Sequence, residues 1–258
     1  MSESNGSNLV QLFLNAGPTA KAVWTYRVMS QNGREPNFDE QAAWNDRMER
    51  SISRYLNEHP EKEQLFAASM SSMAAPQNLA VARAYPFSEA RVVMDVGGGN
   101  GHLLAAILRQ HAAVKGILFD QPSVAEAAPA NGFITAPDLN GRGSAVGGDM
   151  FLAIPKGADI YLLKSVLHDW DDERSVKILA NCRDAMAPNS RILLVEGVIK
   201  PGTEPDFMKF VDLCMFVTSG GKERTQEEYT ALLERAGLKL NRMLPTASAL
   251  SILEAVRA

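Results

Sequence analysis

Two cysteines, Cys182 and Cys214, are all that the sequence contains. That number excludes a disulfide framework, and their spacing has no metal-ligand pattern, so both are expected reduced and buried. No apolar stretch approaches the roughly 20 residues needed to span a bilayer. The polar start "MSESNGSN" lacks the basic-then-apolar order of a signal peptide. Basic residues are scattered and the formal net charge is −4, which argues against nucleic acid or an anionic membrane as partner. Internal repeats are also missing. These absences point to a soluble, cytoplasmic protein. Its 258 residues, 46% of them hydrophobic, suit one substantial globular domain with a small accessory part.

What is present divides into two regions. Residues 1 to about 8 read as a disordered tail. "LVQLFLNAGPTAKAVWTYRVM" reads as two helical pieces broken near Gly17-Pro18. Asp39 is a candidate cap for a helix that puts Trp44, Met48, Ile52, Tyr55 and Leu56 on one face, and Pro60 starts another. Residues 1–60 are thus expected to form a helical N-terminal segment, and 61–258 the main domain. From Arg91 onward, short apolar runs alternate with helical stretches: "RVVMDVG", "VKGILFD", "GSAVGGDMF", "ADIYLLKSVL" and "SRILLVEGVI". That rhythm predicts an α/β fold with a parallel sheet covered on both faces. The last two strands, in "LKLNRMLPT" and "SALSILEAVRA", have only a short connection and must run antiparallel, because a parallel return needs a crossover of about a dozen residues.

The glycine-rich turn in "VVMDVGGGNGHLL" offers a nucleotide site between a strand and a helix. A dinucleotide fingerprint wants G-x-G-x-x-G, but His102 occupies the third glycine position, so the run reads better as Asp95, Gly97, Gly99 and Gly101. A pyrophosphate needs helix-start N–H groups aimed at negative charge. S-adenosylmethionine instead needs acidic groups for its ammonium and ribose hydroxyls. Asp120, ending the next strand in "LFDQP", could take both ribose hydroxyls, and "GGDMF" offers Asp149 and Met150 to the adenine side. All three segments converge at the carboxyl ends of the strands, where open α/β sheets bind ligands.

The fourth strand runs into "KSVLHDWDDERSVKIL", which puts His168 on the same rim. "LLVEGV" adds Glu196, and Glu223 stands just before a helix capped by Thr225. Asp171 and Asp172 are best read as a helix N-terminus. A histidine flanked by carboxylates is a candidate general base, since its partners orient the ring and stabilise the imidazolium. No carboxylate cluster for Mg²⁺ is evident, so no metal is expected.

In family order and spacing, "DVGGGNG", "FDQP", "GGDMF", "LLKSVLHDWDDE", "LLVEGVI" and "GGKERTQEEYTALLERAGL" resemble the small-molecule O-methyltransferases of the caffeic-acid and antibiotic-tailoring type. The resemblance runs from about Phe66 to the C-terminus. It implies the Rossmann-like class I methyltransferase fold, a seven-stranded sheet with its last strand antiparallel, and S-adenosyl-L-methionine as cofactor. It implies that Gly97, Gly99, Asp120, Asp149, Met150 and Lys164 bind the cofactor, with Phe66 and Met70 lining its pocket. It further implies that His168 is the general base flanked by Glu196 and Glu223. Asp169 and Met215 match positions that touch the acceptor, a phenolic or enolic hydroxyl of a small, secondary-metabolism compound.

Fewer than 70 residues precede Phe66. That is too few for the winged-helix-like dimerisation domain that typical members carry, so most of that domain is expected to be missing. The apolar helices before residue 60 are expected to pair with another chain, a second copy or a longer relative. Two alternatives stay open. The fold could serve non-methylating chemistry (decarboxylation, hydroxylation or pericyclic rearrangement), or the chain could be a non-catalytic subunit supporting an active partner.

Overall fold

The computed structural model describes residues 59, 61, 74–202, 204, 206–218 and 221–258. The N-terminal helices expected before residue 60, the helix from Pro60, and both Phe66 and Met70 lie outside the described residues, as does the side chain of Cys214. Cys182 is buried and reduced.

Four apolar runs become the middle of one sheet. Strands β1 (Val92–Val96), β2 (Lys115–Asp120), β4 (Ile160–Lys164) and β5 (Arg191–Ile199) pair in parallel. With β3 (Gly143–Gly147), β7 (Leu238–Pro245) and β8 (Leu250–Arg257), the order is β3-β2-β1-β4-β5-β8-β7. Strand β8 runs antiparallel to both neighbours, as the short connection requires. A two-residue strand, β6 (Arg224–Thr225), pairs with the end of β5 and brings the sheet to eight strands. It is too short to leave a periodicity in the sequence.

The central strands read as unbroken apolar runs because each face of the sheet is covered. Successive side chains alternate between two cores. Leu162 and Leu193 pack with Leu104, Ile107 and Phe87 on one face, while Leu163 and Leu194 pack with Ile178, Leu179 and Tyr229 on the other. The first core holds α1, helical over residues 74–84, and α2 (His102–Gln110), which follows β1. After β2 comes the short α3 (Pro122–Ala127). The second core holds α4 (Asp172–Ala185) and α6 (Gln226–Arg235). Asp171 caps α4 by accepting from Arg174 N, and Thr225 caps α6 in a capping box with Glu228. Helix α5 (Phe207–Thr218) lies between β5 and β6 in the chain. No helix among the described residues is long and apolar enough to cross a membrane.

A buried carboxylate, Glu254 on β8, ties the end of α1 to the C-terminal hairpin. It accepts from Tyr85 Oη just after α1, from Asn241 Nδ2, and from Arg242 Nη2 at 2.9 Å. Hydrogen bonds to a charged group contribute about 1.5–3 kcal/mol each. Tyr85→Phe is therefore expected to lower the unfolding free energy by about that much, measured by urea denaturation, without weakening any ligand held at the opposite, carboxyl rim of the sheet.

Candidate functional site

The strand order reverses between β1 and β4, and ligand crevices in open α/β sheets form at such a point. The turn after β1 needs glycine three times over. Gly97, Gly99 and Gly101 all have positive φ, at 70°, 56° and 80°, a region that other residues enter only at a cost. His102 then opens α2, and its ring packs against Phe133 at 3.8 Å between centroids, tilted by 42°, where a third glycine would leave room for close helix–strand packing.

Beyond the turn lies a cavity of about 360 Å³, lined by Gly97, Asp120, Asp149, Met150, Phe151 and Trp170 among others. Its size is that of a small-molecule site. Asp120 is held rigidly: its Oδ2 accepts from Gly99 N at 2.8 Å and its Oδ1 from Gln121 N at 2.7 Å. Asp149 Oδ1 accepts from Phe151 N. The lining has two carboxylates and no lysine or arginine. Such a cavity suits a cationic, hydroxyl-rich nucleoside and disfavours a pyrophosphate, so the residues fit the cofactor that the glycine spacing suggests.

The turn after β4 borders the same cavity. Val166 sits under Gly97, whose added Cβ would lie 3.0 Å from it, and Trp170 forms part of the wall, edge-on to Phe151. Ser165 adopts φ 53°, rare for a residue with a side chain, and this left-handed step redirects the backbone. As a result Val166 N and Leu167 N both donate to Glu196 Oε1, at 3.0 and 2.8 Å. His168 follows at once. Its Nδ1 lies 3.0 Å from Glu223 Oε1 and 3.9 Å from Glu196 Oε2. With a carboxylate as acceptor Nδ1 carries the proton, which leaves Nε2 to receive one. The chain bearing Glu223 comes close because Gly221 has no side chain: a Cβ there would lie 1.8 Å from His168 O.

Burial alone would lower the basicity of His168. The hydrogen bond to Glu223 and the charges of Glu196, Asp169 and Glu223 outweigh it and push the imidazole up to about 9. Burial raises the Glu196 carboxyl to about 7, against the pull of His168 and the two backbone N–H groups. Asp95, below the glycine turn, is likewise pushed by burial to about 7, while burial lowers its neighbour Lys164. Glu196 Oε2 and Glu223 Oε2 are buried without a hydrogen-bond partner. His168, Glu196 and Glu223 offer ligand atoms within 4.8 Å of one another, so among the described residues there is one cluster compact enough for a cation, which the spacing along the chain does not signal.

Of the residues singled out from sequence, Gly97, Asp120, Asp149 and Met150 line one cavity, and Gly99 buttresses Asp120. His168, Glu196 and Glu223 come together. Asp169 Oδ1 is 3.6 Å from His168 Nε2, half-exposed on the open side. Lys164 ends β4 near Asp95 and Glu196 but is not among the cavity residues. Met215 lies partly buried on α5. Sequence reasoning misses Phe119, Phe151 and Trp170 in the cavity wall, and Asp212, whose Oδ1 accepts from Glu223 N at 2.9 Å. Trp170, two residues from His168, is the one adjacent signal.

The chain matches the O-methyltransferase domain family over residues 31–239. The phenazine O-methyltransferase PhzM of Lysobacter antibioticus is 45% identical to it over 201 residues, 78% of this chain and 58% of that protein. The mitomycin biosynthesis 6-O-methyltransferase of Streptomyces lavendulae is 41% identical over 195 residues, 76% and 55% respectively. The chain thus spans little more than half the length of these two relatives. Among solved structures, the O-methyltransferase NcsB1 from neocarzinostatin biosynthesis, in complex with S-adenosyl-L-homocysteine and 1,4-dihydroxy-2-naphthoic acid, superposes with a TM-score of 0.67 at 32% identity. That match covers 80% of this chain and 61% of NcsB1.

The electrostatics give a direct prediction. In protein labelled at histidine Cε1, the His168 signal is expected to titrate near 9, and clearly lower in Glu223→Gln, where the strongest raising contact is gone. A midpoint unchanged by the substitution would contradict the assigned pairing.

Proposed function

The chain belongs to the O-methyltransferase domain family, and within it we propose an S-adenosylmethionine-dependent enzyme that methylates a phenolic or enolic hydroxyl of a small aromatic metabolite. One observation carries this reading: a half-buried histidine bonded to one buried carboxylate and close to a second, on a turn that runs at Trp170 into the wall of an acid-lined cavity.

Bound S-adenosylmethionine supplies a methyl group on a cationic sulfur that departs as a neutral thioether. Asp120 takes the ribose hydroxyls, Asp149 and Met150 the adenine side, and Gly97 and Gly99 let the backbone approach closely. Phe66, Met70 and Lys164 complete the binding set. Asp169 and Met215 contact the acceptor. His168 Nε2 accepts the hydroxyl proton as the oxygen attacks, and Glu223 steadies the imidazolium through Nδ1. Glu196 fixes the turn that carries the ring.

The magnitudes favour this division of labour. A phenol loses its proton near 10, so transfer to an ordinary imidazole at 6.5 is uphill by about 5 kcal/mol. An imidazole at about 9 reduces that step to about 1.4 kcal/mol, to which freeing the ring of its own proton at pH 7 adds about 2.7 kcal/mol, for a total still below about 5 kcal/mol. The sign of the pH effect follows. Neutral imidazole, the form able to take a proton, is the minor species at pH 7 and the major one above 9.

The test has two parts. Calorimetric titration with S-adenosylhomocysteine is expected to show binding that Asp120→Ala weakens at least about tenfold, the loss of a charge-assisted hydrogen-bond partner. Radiolabelled methyl transfer should then be found with a panel of hydroxylated aromatics that includes a hydroxyphenazine and 1,4-dihydroxy-2-naphthoic acid. Cofactor binding with no transfer to any member would favour the non-methylating alternative, and no binding at all would sink the reading.

A further inference from the structure

A guanidinium with no access to solvent holds the His168 turn from inside. Arg224, on β6, is fully buried. It donates from Nη1 to Leu167 O at 2.9 Å and from Nη2 to Trp170 O at 2.8 Å. Those two carbonyls flank His168 on either side. Nε and Nη2 also reach Asp172 Oδ1, at 3.1 and 2.8 Å, at the start of α4. The residue before Arg224 is Glu223, which bonds the imidazole, and Lys222 N donates to His168 O at 2.8 Å. Pairing of Arg224 with Val198 sets the same strand against β5, the strand of Glu196.

A buried guanidinium, paired here with a carboxylate that is itself partly exposed, is a poor device for stability alone, because an apolar residue of like volume serves as well or better. A planar fork of five N–H donors does something an apolar residue cannot: it fixes several acceptors in one geometry. Here the acceptors belong to the histidine's turn, and the fork is anchored next to the histidine's partner.

We propose that Arg224 is a positioning residue for proton transfer, its guanidinium setting the distance between the Glu223 carboxylate and the His168 ring by locking the backbone on both sides of the histidine. The proposal rests on reading His168 as the base. The groups facing His168 are Glu196 from β5, Glu223 from the approach to β6 and Asp169 on its own turn. Asp172 and Lys222 are bonded to each other behind it, and Asp212 on α5 holds Glu223 N.

Two charge-conserving variants separate geometry from charge. Arg224→Lys keeps the cation and loses the fork; Asp172→Glu keeps the carboxylate and moves it by one methylene. Protein labelled at histidine Cε1 has four histidines, so His168→Gln identifies the signal. Arg224→Lys is expected to lower the His168 midpoint by about one pH unit or more, toward the ordinary 6.5. Asp172→Glu should shift it less, in the same direction. Affinity for S-adenosylhomocysteine should stay within about twofold in both, which corresponds to roughly 0.4 kcal/mol. An unchanged midpoint in Arg224→Lys, with only a lower melting temperature, would reduce Arg224 to a structural residue and overturn the proposal. If that variant does not fold, an unchanged midpoint in Asp172→Glu overturns it instead. Failure of the base reading is distinguishable, because methyl transfer would then survive His168→Gln whatever the midpoints do.

Discussion

Two backbone N–H groups bonded to one carboxylate oxygen decide the geometry of the rim. Glu196 has no contact with water, and an isolated charge in that position is costly enough that the group shifts its proton equilibrium instead. What keeps it there is the turn itself: Ser165 steps into the left-handed region, and Val166 and Leu167 then point their N–H groups at Glu196 Oε1. The bond works in both directions. It satisfies the carboxylate, and it fixes where the next residue, His168, begins.

The proton inventory of the site follows from that arrangement. His168 Nδ1 lies 3.0 Å from Glu223 and 3.9 Å from Glu196, so both carboxylates act on the charge of the ring. A histidine raised to about 9 beside a glutamate raised to about 7 means that near neutrality this pair holds between one and two protons. The buried Glu196 Oε2, which has no hydrogen-bond partner, is where the second proton can reside. The arrangement leaves Nε2 as the ring nitrogen facing outward, toward half-exposed Asp169.

Much of this architecture is legible in the order of the residues. Strands β1, β2, β4 and β5 stand out as apolar runs because both sheet faces are buried, and the last hairpin follows from the brevity of its connection. Glycines at 97, 99 and 101 spell the turn because its backbone admits little else. Glu196 stands out as an acid inside "LLVEGV", a break in pattern of the kind that marks functional sites. Other features leave no such trace. Arg224 sits in a polar run before a helix, where composition predicts a solvated residue, and only the three-dimensional return of the chain encloses it. Ser165 gives no hint of its left-handed backbone, since serine has no special preference for it. Phe151 and Trp170 come from different segments of the chain, and no periodicity links them.

The most direct measurement compares wild type with His168→Gln on two aromatic acceptors of similar shape, one whose hydroxyl ionises near 10 and one already ionised at neutral pH. With His168 as the base, the substitution is expected to slow methyl transfer to the first by about 10²–10⁴-fold, the usual range for a general base, and to leave transfer to the second nearly intact. Equal losses on both acceptors, or no loss on the first, would contradict that role.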